Sequence, residues 1–124
     1  MSTRCNIFIK LKKEEQDYSE EYPYLCIYCH HDGYVSHMGR ELTTNFNSYD
    51  TALAMMRGGD TSSIDEGVSD AYNKDDDLEY VSDPETYPWH DREYKYIYEN
   101  DQWYVIDCYG ENKKRLVTEV LNNN

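Results

Sequence analysis

Basic residues are scarce in this chain of 124 residues. It holds 12 lysines and arginines against 25 aspartates and glutamates, which gives a formal net charge of −13 at pH 7. A protein that binds duplex DNA or RNA needs a basic stripe facing the phosphates. We therefore expect no duplex nucleic acid among its partners.

Long apolar runs are missing as well. The hydrophobic stretches are only a few residues long, whereas a membrane-spanning helix needs about 20 apolar residues. The first ten residues, MSTRCNIFIK, resemble neither a signal peptide nor a transit peptide. We expect a cytoplasmic protein with no membrane contact, and the length indicates a single domain over residues 1–124.

Phenylalanine and tryptophan are rare, at two residues each, whereas tyrosine occurs 14 times. A tyrosine offers apolar area at low rotamer cost together with a hydroxyl group, so it suits both a half-buried sheet position and a recognition surface. Composition leaves these two interpretations open.

Cysteine occurs four times, and in a cytoplasmic chain we expect reduced thiols. Residues 26–30 read C-x-x-C-H, the pattern of covalent haem attachment. They lie in a predicted strand, where positions i and i+3 point to opposite faces. A structural zinc would need a second Cys/His pair, which the sequence lacks. We predict no metal and no cofactor.

Hydrophobic periodicity predicts the strands and helices of the chain. Alternating patterns indicate strands over residues 5–11 and 22–30 and a hairpin over 93–109, with a further short strand over 78–81. Helical spacing indicates helices over residues 35–46, about 48–57 and 113–122. Gly58 is expected at the C′ position that ends the second helix. Capping-box spacing adds a helical turn at 63–66. The fold class is α+β, with an antiparallel sheet, two central helices and a C-terminal helix.

Three segments carry candidate ligand chemistry. Residues 57–63 combine an arginine, two glycines and small hydroxyl side chains, which are the groups that a phosphate prefers. A helix C-cap followed by an N-cap would explain the glycines and serines but not Arg57. Trp89 and Arg92 could stack on a base and pair with its phosphate, or could be ordinary sheet packing with a surface arginine.

The third segment, residues 30–34, reads His-His-Asp-Gly-Tyr at the end of a predicted strand. A histidine beside an aspartate could work as an acid–base pair. The alternative is a simple turn, since Asp-Gly is turn chemistry. No serine or cysteine nucleophile occupies a recognisable elbow.

Several of these residues together resemble a known family. The chain begins Met1-Ser-Thr-Arg-Cys-Asn-Ile, continues with Tyr28-Cys-His-His-Asp-Gly-Tyr34 and Met38-Gly-Arg-Glu-Leu42, and then reads Arg57-Gly-Gly-Asp-Thr-Ser-Ser-Ile64. With the aromatic segment Gln102-Trp-Tyr-Val105, this order resembles the phage anti-Thoeris signal-sponge family.

The resemblance implies a phage protein of α+β fold that acts in the host cytoplasm. It implies that the protein binds cyclic ADP-ribose isomers, such as glycocyclic ADP-ribose, without cleaving them, and that it could also bind cyclic oligonucleotides of CBASS immunity. The protein would then not be an enzyme, and it would be a homo-oligomer, either a dimer or a hexamer built from dimers.

The candidate ligand-binding residues combine the residue chemistry with this resemblance. They are Arg57, Gly58, Gly59, Thr61, Ser62, Tyr28, His31, Asp32, Tyr34, Trp89, Arg92 and Arg115. We predict no catalytic residue.

Two other functions stay open. One is an enzyme that degrades a cyclic nucleotide through His30, His31 and Asp32. The other is an acidic inhibitor that binds a host defence nuclease, which would need the acidic residues on one face; in the sequence they occur at both ends and in the middle.

Overall fold

The structure, a computed structural model, describes residues 3–13, 22–71, 79–88, 92–110 and 112–122. Within them, eight strands form one sheet. The strands are β1 (Cys5–Lys10), β2 (Tyr24–Cys29), β3 (Thr61–Asp65), β4 (Val68–Ala71), β5 (Glu79–Val81), β6 (Tyr94–Glu99), β7 (Gln102–Asp107) and β8 (Lys114–Leu116). The helices are α1 (Arg40–Asn45), preceded by a π-helical turn at Val35–Gly39, α2 (Tyr49–Met56) and α3 (Val117–Asn122).

The α+β class and the C-terminal helix are confirmed, but the prediction of a purely antiparallel sheet is wrong. The order is β4-β3-β2-β1-β6-β7-β8, with β5 also paired to β2. β1 runs antiparallel to β2 but parallel to β6, and β2 runs parallel to β3. The sheet is therefore mixed. The long segments between these partners allow the crossovers that parallel pairs need.

The two central helices are confirmed with small changes. Ser48 caps α2, and its hydroxyl accepts a hydrogen bond from the Thr51 amide at 3.2 Å. The residue with positive φ after α2 is Gly59 (φ 84°), not the predicted Gly58. Gly39 allows a close approach of α3, because a Cβ atom there would lie 2.9 Å from Cγ1 of Val117.

The predicted helical turn at residues 63–66 is wrong, since these residues belong to the β3–β4 hairpin. Glu66 (φ 51°) and Gly67 (φ 77°) both adopt positive φ, as a tight hairpin turn requires. Their amides donate to the Glu41 carboxylate at 3.1 and 2.9 Å. This carboxylate, distant in sequence, accepts the hydrogen bonds of the turn amides. Residues 63–66 therefore do not form the capping box that their spacing suggests.

The C-terminal segment is also shorter as a helix than predicted. Residues 114–116 form β8 against β7, and only Val117–Asn122 is helical. The predicted strand over 78–81 is confirmed as β5 at Glu79–Val81, and the predicted hairpin over 93–109 as β6 and β7, joined at Asn100 and Asp101.

The alternation of side chains divides the buried residues between the two faces of the sheet. The larger cluster, on the face covered by the helices, includes Ile7, Ile27 and Tyr96. The smaller cluster, on the other face, includes Phe8, Cys26 and Ile97. Cys26 and Cys29 lie in different clusters, which confirms that the two thiols of the C-x-x-C-H motif point to opposite faces.

None of the helices in the described ranges is long and apolar enough to span a membrane.

Two buried hydrogen bonds tie the hairpin to the rest of the fold. Tyr96 donates its hydroxyl to the Gly33 carbonyl at 2.6 Å, and Trp103 donates its indole N–H to the Phe46 carbonyl at 2.9 Å. Both partners are more than 50 residues distant in sequence, so each bond fixes tertiary structure rather than a local turn.

Tyr96→Phe is expected to lower the free energy of unfolding by about 1–3 kcal/mol, because it leaves the buried Gly33 carbonyl without its donor. Tyr98→Phe is the matched control on the same strand, since within the described residues its hydroxyl makes no hydrogen bond. Urea unfolding of both variants measures the difference. Equal midpoints for the two variants would contradict this role of the Tyr96 hydroxyl.

Candidate ligand-binding site

The central strands place their polar ends at one edge of the sheet, here called the polar edge. β1, β3 and β6 begin there, and β2 ends there, because β1 is parallel to β6 and antiparallel to β2. Residues just outside these strands, such as Arg4, His30, Asp60 and Arg92, therefore meet although they are far apart in sequence. The amide of Glu93 donates to the Arg4 carbonyl at 2.9 Å, and this bond joins the residues that precede β6 and β1.

The polar edge unites three of the predicted segments. The amide of His31 donates to the Ser62 carbonyl at 2.8 Å, and that of Tyr28 to the Asp60 carboxylate at 2.8 Å. The guanidinium of Arg92 lies over the Tyr28 ring, 4.3 Å from its centroid. These contacts make the strand-end turn, the glycine-rich segment and Arg92 neighbours in the structure.

The glycine-rich segment does not present all of its predicted groups to a ligand. Arg57 is exposed at the C-cap of α2. Thr61 is fully buried, and its hydroxyl donates to the Ser63 carbonyl at 2.9 Å. Gly58 and Gly59 lie in the turn after α2, where each amide donates to a carbonyl of that helix. The amides and the Thr61 hydroxyl are thus engaged within the protein.

The His-Asp turn is shaped by close backbone packing. Asp32 has φ 58°, and a Cβ atom on Gly33 would lie 2.9 Å from the Thr3 carbonyl oxygen. The Nδ1 atom of His30 and the Tyr28 hydroxyl are 2.6 Å apart. Partial desolvation, followed by the charges of His31 and Arg4, lowers the pKa of His30. The ring of His30 is thus held by a phenol rather than by the carboxylate that an acid–base pair would use.

A separate cleft lies on the helix-covered face. It measures about 460 Å³ and is lined by side chains from the π-helical turn, β6, β7, the segment before β8, β8 itself and α3. The lining residues with polar or aromatic groups are Tyr34, Ser36, Tyr94, Asp107, Lys113 and Arg115. A second cavity of about 420 Å³ shares Tyr34, Tyr94, Asp107 and Gly110 with it and extends to Thr3, Glu93 and Tyr109. We call these two cavities together the tyrosine cleft.

Two basic residues line the tyrosine cleft. Lys113 and Arg115 line it, and Lys114 lies between them in sequence. Lys114 is engaged by the carboxylate of Glu99, with which it forms a salt bridge. The cleft therefore combines two cations and two tyrosine rings with the carboxylates of Asp107 and Glu93.

Asp107 shapes the wall of the tyrosine cleft. Its carboxylate accepts hydrogen bonds from the amides of Tyr109 (3.2 Å) and Gly110 (3.0 Å). A Cβ atom at position 110 would lie 2.7 Å from Oδ2 of Asp107, so a larger residue there would displace this carboxylate. Asp107 is also the cross-strand partner of Tyr94.

Of the predicted site residues that the structure describes, only Tyr34 and Arg115 line the tyrosine cleft. Tyr28 lies on the opposite face of the sheet, because its strand neighbours Tyr24 and Cys26 belong to the smaller cluster. Trp89 lies outside the described residues. Sequence reasoning did not assign Tyr94, Asp107 or Lys113 to the site. The run of basic residues at 113–115 was the available signal, but helical spacing placed it at the start of a helix.

Comparison with known proteins finds no matching protein family, no similar curated protein and no similar solved structure.

Burial, followed by the nearby charges of Asp107 and Glu93, raises the pKa of Tyr94 above its ordinary value of 10.0. The fold thus favours the neutral phenol. Its contribution to stability is fully present below pH 10 and is lost as the pH rises through the folded pKa.

Asp107→Asn is expected to lower the pKa of Tyr94, because it removes the neighbouring negative charge while an amide oxygen can still accept the turn hydrogen bonds. The pKa stays above 10 because burial, the largest cause, remains. An NMR titration of ¹³C-labelled tyrosine rings measures this shift. Tyr98, whose pKa is raised by burial and Asp101, is the internal control. An unchanged Tyr94 pKa, or an equal shift of both tyrosines, would show that Asp107 does not act on Tyr94.

Proposed function

We propose that this protein binds and sequesters an anionic nucleotide second messenger in the tyrosine cleft and does not cleave it. In this proposal it is a phage-encoded sponge that acts in the host cytoplasm and keeps the signal from its defence effector. The ligand class is a cyclic ADP-ribose isomer, as the family resemblance implies, and it extends to cyclic oligonucleotides of CBASS immunity.

The observation that carries the proposal is the pairing of Tyr34 and Tyr94 with Lys113 and Arg115 in one cavity of about 460 Å³. Ligand pockets commonly range from about 300 to 1,000 Å³. Tyrosine rings stack on a nucleobase, and lysine and arginine pair with phosphate oxygens. Ser36 and Asp107 line the same cavity and offer partners for ribose hydroxyls.

The strong negative charge of the chain is compatible with an anionic ligand. At physiological salt the Debye length is about 8 Å, so distant carboxylates act weakly on a ligand in the cleft. Lys113 and Arg115 lie within the cavity wall and act at close range. These two cations offset the carboxylates of Asp107 and Glu93 in the lining, so the cleft itself does not carry the negative charge of the whole chain.

The proposal includes a homo-oligomer, as a dimer or a hexamer built from dimers. β4 and β8 are the terminal strands of the sheet. Terminal strands carry unpaired backbone groups that a second chain can use. Light scattering on the purified protein tests this part independently of ligand binding.

The binding test is capture and release. The purified protein is incubated with cyclic ADP-ribose isomers and with cyclic di- and trinucleotides, filtered, and then heated, and each fraction is analysed by mass spectrometry. The expected result is depletion of one ligand from the filtrate and its return with unchanged mass after heating.

Arg115→Ala is expected to weaken capture about tenfold to a hundredfold, the usual range for loss of a charge-assisted hydrogen bond. Lys10→Ala is the matched control, because Lys10 is an exposed cation at the opposite end of β1 from the polar edge. Arg57→Ala is measured in parallel. Loss of capture in Arg57→Ala but not in Arg115→Ala would move the site to the glycine-rich segment and contradict the proposal.

Two other outcomes also contradict the proposal. A product of altered mass would indicate an enzyme, and His30, His31 and Asp32 would be the first residues to substitute. Passage of every ligand through the filter would exclude sequestration of these nucleotides and would direct the search to a protein partner, such as a host defence nuclease.

A further inference from the structure

A small cavity lies on the face of the sheet opposite the tyrosine cleft. It measures about 80 Å³, and its polar and aromatic lining residues are Asn6, Tyr28, Asp60, Glu79, Tyr87 and Arg92. One water molecule needs about 10–15 Å³ of such volume. The cavity, here called the Asn6 cavity, therefore admits a group of a few heavy atoms. It shares no lining residue with the tyrosine cleft.

The first requirement of this cavity is a hydrogen-bond donor. Asn6 is only 2 % exposed, and its Oδ1 atom has no donor within the described part of the chain. Its Nδ2 atom donates to the Ile27 carbonyl at 3.3 Å. Because only the amide nitrogen can donate to a carbonyl, this bond fixes the orientation of the side chain. The buried oxygen of Asn6 is thus held ready to accept from a bound group.

The second requirement is an acceptor, and it comes from Arg92. A guanidinium group carries N–H donors and no acceptor. The guanidinium of Arg92 lies over the Tyr28 ring, 4.3 Å from its centroid, while its buried Nε atom makes no hydrogen bond among the described residues. A group that enters the cavity must therefore accept from Arg92 as well as donate to Asn6.

Glu79 offers a further acceptor. This residue is exposed and also lines the cavity, which places it at the mouth. Its Oε1 atom accepts from the Tyr87 hydroxyl at 3.0 Å, and a carboxylate can accept several hydrogen bonds in total. Asp60 differs, because it accepts from the Tyr28 backbone amide at 2.8 Å and so serves the sheet. We assign Asp60 no contact with a ligand.

These requirements exclude charged ligand groups. An ammonium group or a metal ion has no acceptor for Arg92 and would lie beside a guanidinium of the same charge. A carboxylate has no donor for Asn6 and would lie beside the carboxylates of Asp60 and Glu79. A hydroxyl group has a single donor, which can serve Asn6 or Glu79 but not both.

We propose that the Asn6 cavity binds a primary carboxamide group. The NH₂ of such a group has two N–H donors, one for the Asn6 oxygen and one for the Glu79 carboxylate, and its carbonyl oxygen accepts from Arg92. The group is neutral, so it adds no charge to a lining that already contains both signs. Its binding satisfies the buried oxygen of Asn6, which is otherwise left without a donor.

The test is an NMR titration of the ¹⁵N-labelled full chain at constant ionic strength. Acetamide has the two donors and the acceptor, N,N-dimethylacetamide has the acceptor alone, and methylammonium chloride has donors alone. We expect a saturable shift of the Asn6 side-chain NH₂ signal with acetamide only. No saturable shift with acetamide, or an equal shift with either reference compound, would overturn the proposal and leave a cavity that holds water only.

A pair of peptides distinguishes two sources of the carboxamide. Gly-Gln-Gly carries the group on a side chain, and Gly-Glu-Gly is the same peptide with a carboxylate in its place. A shift of the Asn6 signal with Gly-Gln-Gly but not with Gly-Glu-Gly would indicate that a glutamine side chain enters the cavity. A shift with acetamide and with neither peptide would assign the cavity to a free small amide.

Asn6→Leu and Arg92→Met are each expected to weaken acetamide binding about tenfold or more, because each removes one hydrogen-bond partner. The readout in these variants is the backbone amide signal of Ile27, which also lines the cavity. Arg40→Met is the matched control, since Arg40 is an exposed arginine of α1 that does not line the cavity. Unchanged affinity in both Asn6→Leu and Arg92→Met would contradict the assignment.

Discussion

The parallel pairing of β1 with β6 is the constraint on which the arrangement of this protein depends. It matches Cys5 with Tyr94 and continues to Ile9 with Tyr98. Because β1 is also antiparallel to β2, the starts of β1 and β6 meet the end of β2 at one edge. The apolar side chains of β1 are buried on both faces, which stabilises this central position through the hydrophobic effect. The polar residues at the strand ends are assembled as a consequence.

The same sheet separates two chemical environments. On the helix-covered face, the tyrosine cleft combines aromatic rings with Lys113 and Arg115. On the other face, a small cavity of about 80 Å³ is lined by Asn6, by the carboxylates of Asp60 and Glu79 and by Arg92. Alternation along β1 and β2 produces this separation, since neighbouring residues of a strand point to opposite faces. The two faces of the sheet therefore differ in their chemistry.

Local patterns predicted much of the fold. The hairpin of β6 and β7 was visible because alternating apolar residues flank Asn100 and Asp101, and α2 because Ser48 caps it. The parallel pairs were not predictable, since β1 and β6 are about 90 residues apart and no local signal encodes their register. The strand at 61–65 was missed because Glu41, far away in sequence, satisfies its hairpin turn.

The candidate site, like the fold, was only partly predictable from the sequence. The chemistry of residues 57–63 and of the His-Asp turn was visible in the sequence, and the structure brings these segments together. The tyrosine cleft arises from elements that meet only in three dimensions, so Tyr94 and Asp107 carried no sequence signal of a shared pocket. The resemblance supplied the ligand class, which stays a prediction.

The most direct test of the central claim is an NMR spectrum of the protein with ¹³C-labelled tyrosine, recorded with and without a cyclic ADP-ribose isomer. Binding in the tyrosine cleft is expected to shift the ring signals of Tyr34 and Tyr94 most, while those of Tyr24 and Tyr28 on the opposite face shift little. Shifts confined to Tyr28, or no shifts at a saturating ligand concentration, would contradict the assignment of the nucleotide site to the tyrosine cleft.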